Sequence, residues 1–207
     1  MKNNYEIREI DFKTAMDILI PNHYLHRRAP YSHAFGLFEK KTNNLVGVIN
    51  YGVPASTTLL RGICGESEKN NVYELNRLWV DDSVPKNAES FLIGNTIKLL
   101  DKEIIVSFAD TSQGHTGYVY QAANFLYTGL SAKFYDYVVK GYEHKHRATY
   151  AYSLTIQQLK DKYGKDNVYR VERPRKHRYI YFNANKKRKK ELMKKLNYKL
   201  LPYPKGK

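Results

Sequence analysis

Arg77 stands in the run Glu74-Leu75-Asn76-Arg77-Leu78-Trp79-Val80, a guanidinium among apolar neighbours. Burying that charge alone is costly, so it needs a carboxylate partner such as Glu74 or Asp110, or an anionic ligand. Asp110 ends the apolar run from Glu103 to Ala109. Open α/β sheets hold ligands at such strand ends, and the same position also suits an ordinary helix cap. A carboxylate facing a ligand would accept a proton from, or hydrogen-bond to, an amine. His23-Tyr24-Leu25-His26 sets two imidazoles three residues apart. With Asp110 as a third ligand this is a metal-like spacing, iron included, but no further ligand motif accompanies it and no metal is assigned. The segment reads better as a polar wall, with His23 as a general base, Tyr24 as a stacking surface, and Arg27 and Arg28 as holders of phosphate. At about 100° per residue, Tyr118, Val119, Ala122, Phe125 and Leu126 share one helical arc, whereas Tyr120, Asn124 and Tyr127 point away from it. Tyr120 is therefore free to protonate a leaving group or, with Asn124, to line an acceptor pocket, unless the helix buries a second face and packs it there. Ser107, small and near the strand end, packs there at the edge of the substrate site. No Ser-His-Asp hydrolase elbow and no Walker phosphate loop occurs.

The elements that must position these groups follow from periodicity and turn chemistry. Residues 5–12 alternate apolar and polar, the mark of a half-buried strand, and 13–20 read as a short helix. Strands 33–40 and 45–53 form a hairpin through Thr42-Asn43-Asn44. Strand 72–80 precedes a helix 85–101 with Ser83 as its cap and Pro85 in its first turn. Strand 103–109 is apolar throughout, as a buried central strand is, and a helix over 111–127 closes at Gly129. Residues 132–139 and 148–154 are expected to complete the sheet, with a helix at 155–163 and a last strand at 178–182. The expected fold class is α/β, a mixed central sheet flanked by helices, with a basic C-terminal extension. The expected division is a catalytic core over 1–155 and a basic segment over 156–207 that completes the fold.

The 207 residues carry 35 Lys and Arg against 20 Asp and Glu. Residues 1–139 hold 14 basic against 15 acidic side chains, and residues 140–207 hold 21 against 5. A near-neutral body with a basic last third suits an enzyme whose substrate is a polyanion, because counterion release drives binding. The densest run is Lys186-Lys187-Arg188-Lys189-Lys190; upstream, Arg173, Arg175, Lys176 and Arg178 alternate with Tyr169, Tyr179, Tyr181 and Phe182, which can stack on bases. His144, His146 and His177 belong to the same basic region. The 27 Tyr and Phe residues exclude wholesale disorder. No apolar run is long enough to span a membrane, no signal peptide opens the chain, and one cysteine, Cys64, excludes an internal disulfide framework. A cytoplasmic, membrane-free protein is expected, and an oligomer remains open.

The order strand 72–80, helix 85–101, strand 103–109, helix 115–127 is similar to the GNAT acyltransferase fold. In that family a Gln/Arg-x-x-Gly-x-Gly/Ala turn after the fourth strand cradles the pyrophosphate of acetyl-CoA with backbone amides. Here the corresponding stretch, from Asp81-Asp82-Ser83 to Ser90, has no glycine and opens with two acids. A narrower resemblance spans about residues 15–150. His23-Tyr24-Leu25-His26, Glu74 to Val80, Ser107-Phe108-Ala109-Asp110 and Tyr118-Val119-Tyr120 together resemble the Mom proteins of Mu-like phages. That resemblance implies an enzyme converting adenine in phage DNA to N6-carbamoylmethyladenine, which hides sites from host restriction. It favours Asp110 as catalytic and has Arg77 orient a carboxylate or grip the donor. Double-stranded DNA is the implied partner. The donor is open between acetyl-CoA and glycyl-tRNA, the latter because carbamoylmethyl has the carbon skeleton of glycine. Two other readings stand beside it: an acyl-CoA-dependent N-acetyltransferase on a small amine or protein, and a non-catalytic nucleic-acid-binding protein.

Overall fold

The computed structural model describes residues 1–143, 145 and 147–205; His144 and His146 lie outside the described residues. The chain begins with β1 (Tyr5–Ile10), α1 (Phe12–Asn22), β2 (His33–Glu39), β3 (Leu45–Gly52), α2 (Thr57–Cys64), β4 (Val72–Val80) and α3 (Ala88–Thr96). It continues with β5 (Ile104–Asp110), α4 (Tyr118–Ala122), β6 (Leu126–Leu130), β7 (Tyr135–Val139), α5 (Arg147–Ala151), α6 (Ile156–Tyr163) and β8 (Val168–Glu172). β9 (Lys176–Phe182) and α7 (Lys186–Lys195) close it. A seven-stranded sheet runs β1-β2-β3-β4-β5-β9-β6, antiparallel except for the parallel pair β4 and β5. This is the mixed central sheet, flanked by helices, that the sequence implied.

Two compact units emerge, Met1–Leu130 with Lys176–Lys207, and Ser131–Arg175. The boundary therefore does not fall at 155. Residues 176–182 belong inside the large sheet because β9 pairs with β5 along its whole length, Ile104 with Phe182 through Asp110 with Lys176. The smaller unit pairs β7 with β8 and packs Val139, Ala151, Leu159 and Val168 into a core of its own. Residues 132–139 thus build a separate two-stranded sheet, and 148–154, expected as a strand, give α5. β6 and β9 supply the edge of the large sheet in their place.

Local chemistry explains the other departures. α1 starts where Asp11 accepts the Thr14 amide at 2.9 Å. α3 starts at Ala88, not at 85, because Ser83 turns its amide and hydroxyl onto Asp81 and Asn87 adopts a left-handed φ of 73°. The helix expected over 111–127 shrinks to α4 because Gly114 and Gly117 take φ of 68° and 79°, which right-handed helix forbids. Residues 126–130 are released into β6, so Gly129 sits in a strand instead of capping a helix.

α7 looks like a solvated lysine run in the sequence, yet it docks on the sheet through Leu192, which is fully buried. Arg188 turns inward and reaches Glu68 at 2.6 Å and Glu103 at 2.8 Å, and Lys195 reaches Glu68 at 2.6 Å. Burial raises the proton affinity of Glu68, but the hydrogen bonds from Lys195 and Arg188 outweigh it and hold the carboxyl down at about 2. Arg188 is therefore a structural cation. Replacing it with Met should lower stability by roughly 3 kcal/mol, because Glu68 loses one of its cations and Glu103 is left without its own. Lys187→Met should stay within about 0.5 kcal/mol. Urea midpoints compare the two, and equal effects would remove the structural role assigned to Arg188.

Candidate functional site

β4 and β5 pair in parallel only from Val72 with Ile104 to Leu75 with Ser107. Beyond that point β4 runs on to Val80 and β5 to Asp110 without pairing, and a cleft of about 590 Å³ opens between them. On β4's other side the register with β3 slips between Asn50 and Tyr51, leaving Asn76 as the extra residue of a bulge. The slip brings Asn76 onto Asn50: the Asn50 amide donates to Asn76 Oδ1 at 2.7 Å and to the Pro30 carbonyl at 2.8 Å, and Asn76 donates to the same carbonyl at 2.9 Å. Gly52 allows this close approach, since a Cβ there would lie 2.3 Å from the Pro30 oxygen. The connection from α1 to β2, with His23 and Tyr24, is thereby fastened against the strands that carry Arg77.

Arg77 lines the cleft at 8% exposure. Its Nη1 donates to the Asn76 carbonyl at 2.6 Å, while its buried Nε has no partner. Among the described residues no ion pair holds it, so the partner expected in Glu74 or Asp110 is not a contact. Burial and then Arg27 lower its proton affinity. A guanidinium nonetheless stays charged at any working pH, which leaves a cation looking for an anionic or carbonyl oxygen.

Asp110, 7% exposed, accepts the Ser112 amide at 3.0 Å and hydroxyl at 2.7 Å, and Lys176 approaches at 3.2 Å. Burial acts to raise its pKa, but the Ser112 bonds and Lys176 prevail and lower it. It caps the turn after β5 and is at the same time a permanent negative charge beside the cleft. Glu74 behaves oppositely: burial raises its pKa, only partly opposed by Lys176 and Arg77. From the sequence Glu74 stood only as an ion-pair partner for Arg77.

His23 accepts the Leu25 amide at Nδ1 at 3.2 Å, so the neutral ring carries its hydrogen on Nε2. Burial first, then Arg77, depress its pKa to about 4. With its lone pair taken it is a donor, which corrects the general-base expectation. Tyr24 stacks on it at 4.5 Å and meets His115 edge-on at 6.0 Å. His115 also lines the cleft and was missed; the glycines either side of His115-Thr116 were the available turn signal.

Tyr120 lines the cleft too, but at 9% exposure it is a core residue, its phenol bonded to Ser107. Burial pushes it up to about 12, so it is protonated at neutral pH. Ser107, fully buried, donates to the Leu75 carbonyl at 2.8 Å. The arc assignment is inverted: Tyr120 packs inside, and Tyr118 is 74% exposed.

The remaining expected residues disperse. His26 turns its Nδ1 back to the Ile20 carbonyl at 3.0 Å, away from His23, and no metal-like group of three forms among the described residues. Arg27 is exposed near Arg77, and Arg28 lies 5.9 Å over Phe12. Asn124 sits in an exposed left-handed turn outside the cleft lining. Arg178 is spent on Thr128, at 2.9 and 3.1 Å, and on the Tyr198 ring at 3.4 Å. In the smaller unit Arg173 is paired with Asp136, and Arg175 donates to the Ser131 carbonyl at 2.6 Å. Lys186, Lys189 and Lys190 line a groove on the outer side of α7, and Lys187 is exposed beside them.

The sequence matches the Mom protein family over residues 4–205. The chain belongs to that family. Its Mom relative from Escherichia phage Mu, methylcarbamoylase mom, is 32% identical over 206 residues, covering 92% of this chain and 80% of that protein. Among solved structures, this Mom chain is similar to the ribosomal-protein-S5-alanine acetyltransferase of Vibrio fischeri at TM-score 0.48 and 12% identity, over 88% of this chain and 94% of the other. Spermidine/spermine N-acetyltransferase SpeG of Vibrio cholerae aligns at TM-score 0.49 and 10% identity, over 87% and 94%.

The electrostatics of this Mom cleft give a pH test. The unfolded chain protonates His23 near pH 6.5, while the native imidazole, depressed to about 4, refuses the proton. Stability should therefore fall as pH drops from about 6.5 to about 4, and His23→Asn should remove that part of the slope. NMR titration reads the imidazole directly; a midpoint at the ordinary histidine value would overturn its assignment as a buried neutral donor.

Proposed function

We propose that this protein is a transferase that converts adenine in phage DNA to N6-carbamoylmethyladenine and so shields that DNA from host restriction. The observation that carries the reading is that the residues of the Mom resemblance, His23, Tyr24, Arg77 and Tyr120, line one cleft with Asp110 at its margin. The Mu relative's name, methylcarbamoylase, supports the same chemistry.

Acetyl-CoA does not fit. Where a pyrophosphate needs backbone amides, this chain has Asp81 and Asp82, with Asp81 held ionised by Ser83, and Glu89 lines the cleft at the start of α3. Carboxylates there would repel phosphate. An activated glycyl ester, as in glycyl-tRNA, supplies the required skeleton instead. Adenine N6 attacks the ester carbonyl, the C–O bond to the carrier breaks, and the carrier leaves as its alcohol with an N6-glycyl amide formed. The free glycyl amine then attacks C6; the C6–N6 bond breaks, one proton passes from the incoming amine to the departing nitrogen, and that nitrogen becomes the carboxamide. No oxidant is consumed. Arg77 offers its unpaired Nε to the oxyanion, Tyr120 turns its phenolic proton from Ser107 to the leaving oxygen, and Asp110 stabilises the cationic amine as it forms. His23 donates through Nε2 to the acceptor. Tyr24 and His115 flank the extruded base.

Phosphate is held by the outward-facing lysines of α7 and, beside Arg77, by Arg27, with Arg28 next to it in the chain. Ser107 acts by positioning Tyr120.

Nucleosides from cells expressing the protein should contain the modified adenine by mass spectrometry, and Arg77→Ala or Asp110→Ala should cut the yield by about 100-fold or more while folding persists. Unmodified adenine from a folded, soluble preparation would sink the reading and favour a non-catalytic binder. Feeding 15N-glycine should label the nitrogen attached to C6; label only in the carboxamide would exclude the rearrangement.

Changing Lys186, Lys187, Lys189 and Lys190 to Gln, with Arg188 kept, should flatten the log–log salt dependence of DNA binding by about 0.9 for each phosphate that is no longer neutralised. An unchanged slope would show that the run only solvates the helix.

A further inference from the structure

Tyr118 combines three properties that the reaction scheme leaves unused. It is 74% exposed, it nevertheless lines the cleft, and it opens α4 directly after Gly117. Among the described residues its ring has no aromatic partner and its hydroxyl no hydrogen bond, so nothing within the chain accounts for its position. Exposed tyrosines are ordinary in themselves. What sets this one apart is how firmly it is presented. Gly117 has φ of 79°, and a Cβ there would sit 2.3 Å from the Tyr179 ring, itself fully buried. The Tyr179 hydroxyl bonds the Thr116 carbonyl, and Gln121 Nε2 donates to that hydroxyl at 3.1 Å and to the Thr116 carbonyl at 3.3 Å. His115 N–H closes onto the Asp110 carbonyl at 3.2 Å. The backbone carrying Tyr118 is thus bolted to the core while its ring stands at the lip in solvent.

Exposure falls from the lip inward, from Tyr118 at 74% through Tyr24 at 36% to Tyr120 at 9%. A base entering this cleft would pass Tyr118, lie against the Tyr24 wall and end near Tyr120. An adenine inside a duplex must first leave the stack, and the gap it leaves costs a few kcal/mol of stacking. Proteins that open base steps fill such gaps with a rigid apolar wedge. We propose that Tyr118 is that wedge: it enters the base stack in place of the extruded adenine while the cleft receives the base. This rests on the reading that adenine in duplex DNA is the acceptor.

The test uses the full chain, a short duplex with 2-aminopurine at a position mapped as modified for the fluorescence, the same sequence with adenine at that position as duplex and as single strand for the modification, and cell extract as the source of donor. Wild-type protein should raise the 2-aminopurine fluorescence as the base unstacks, and Tyr118→Ala should abolish most of that rise. The ratio of modification rates on duplex and single-stranded DNA should fall by about tenfold in Tyr118→Ala, whereas Tyr118→Trp and Tyr118→Phe should keep it, since the wedge needs a ring and not a hydroxyl. Tyr152→Ala, equally exposed but in the smaller unit, is the control for removal of a surface ring. A ratio unchanged in Tyr118→Ala, or equal losses on both strand forms, overturns the wedge while leaving adenine modification standing. Absence of modification on both forms by the wild-type protein overturns adenine modification, and the wedge with it.

Discussion

The ladder between β4 and β5 stops at Leu75 and Ser107, and most of what can do chemistry in this protein depends on that stop. Parallel strands that part create backbone groups without a strand partner, and each must be answered. Ser107 answers one by donating its hydroxyl to the Leu75 carbonyl, and the same hydroxyl receives Tyr120. The bulge at Asn76 answers others on the β3 side by drawing Asn50 and Pro30 together. The repair of a broken ladder and the positioning of the cleft's polar groups are therefore one set of hydrogen bonds. A change at Ser107 or Asn50 would move Tyr120 or the His23 connection even though neither residue faces the cleft.

Burial then divides the labour among groups of the same type. Asp110 and Glu74 are both carboxylates near Lys176, but only Asp110 has the Ser112 bonds that hold it ionised; Glu74 is left to desolvation and its proton affinity rises. Arg77 is a buried guanidinium and Arg188 a half-buried one. Arg188 faces three carboxylates, Glu68, Glu103 and Glu191, and serves stability, whereas Arg77 has no ion pair among the described residues and an unanswered Nε. Partner count, more than residue type, separates structural charge from functional charge here.

The same distinction explains what could be read from the sequence. β1, the β2–β3 hairpin, β4 and β5 were legible because alternation or continuous apolarity marks a strand locally. β9 reads as a short strand over 178–182 within a basic stretch, and only its pairing along β5 from Lys176 onward shows why Tyr179, Ile180 and Phe182 are core residues. The cleft residues of the Mom-like segments were legible as types, but not the direction each points. Helical phase failed for Tyr118 and Tyr120 because α4 ends at Ala122, so Phe125 and Leu126, which fixed the expected apolar arc, lie beyond it after the left-handed Asn124. Glu89 carries no pattern and His115 only the turn glycines around it, and both become visible as cleft residues only when β4 and β5 part.

The lysine run shows how one charge block can hold two roles. A helix separates neighbours by about 100°, so Arg188 and Leu192 share an inward face while Lys186, Lys189 and Lys190 turn outward. Composition alone adds all of these cations into one polyanion-binding total. Geometry subtracts Arg188 and Lys195, which neutralise Glu68, together with Arg178 and Arg173, which are held by neighbours of their own. Subtracting them leaves a smaller cationic surface than composition implies, part of it the row Lys186, Lys189 and Lys190 on α7, whereas the start of α3 is acidic.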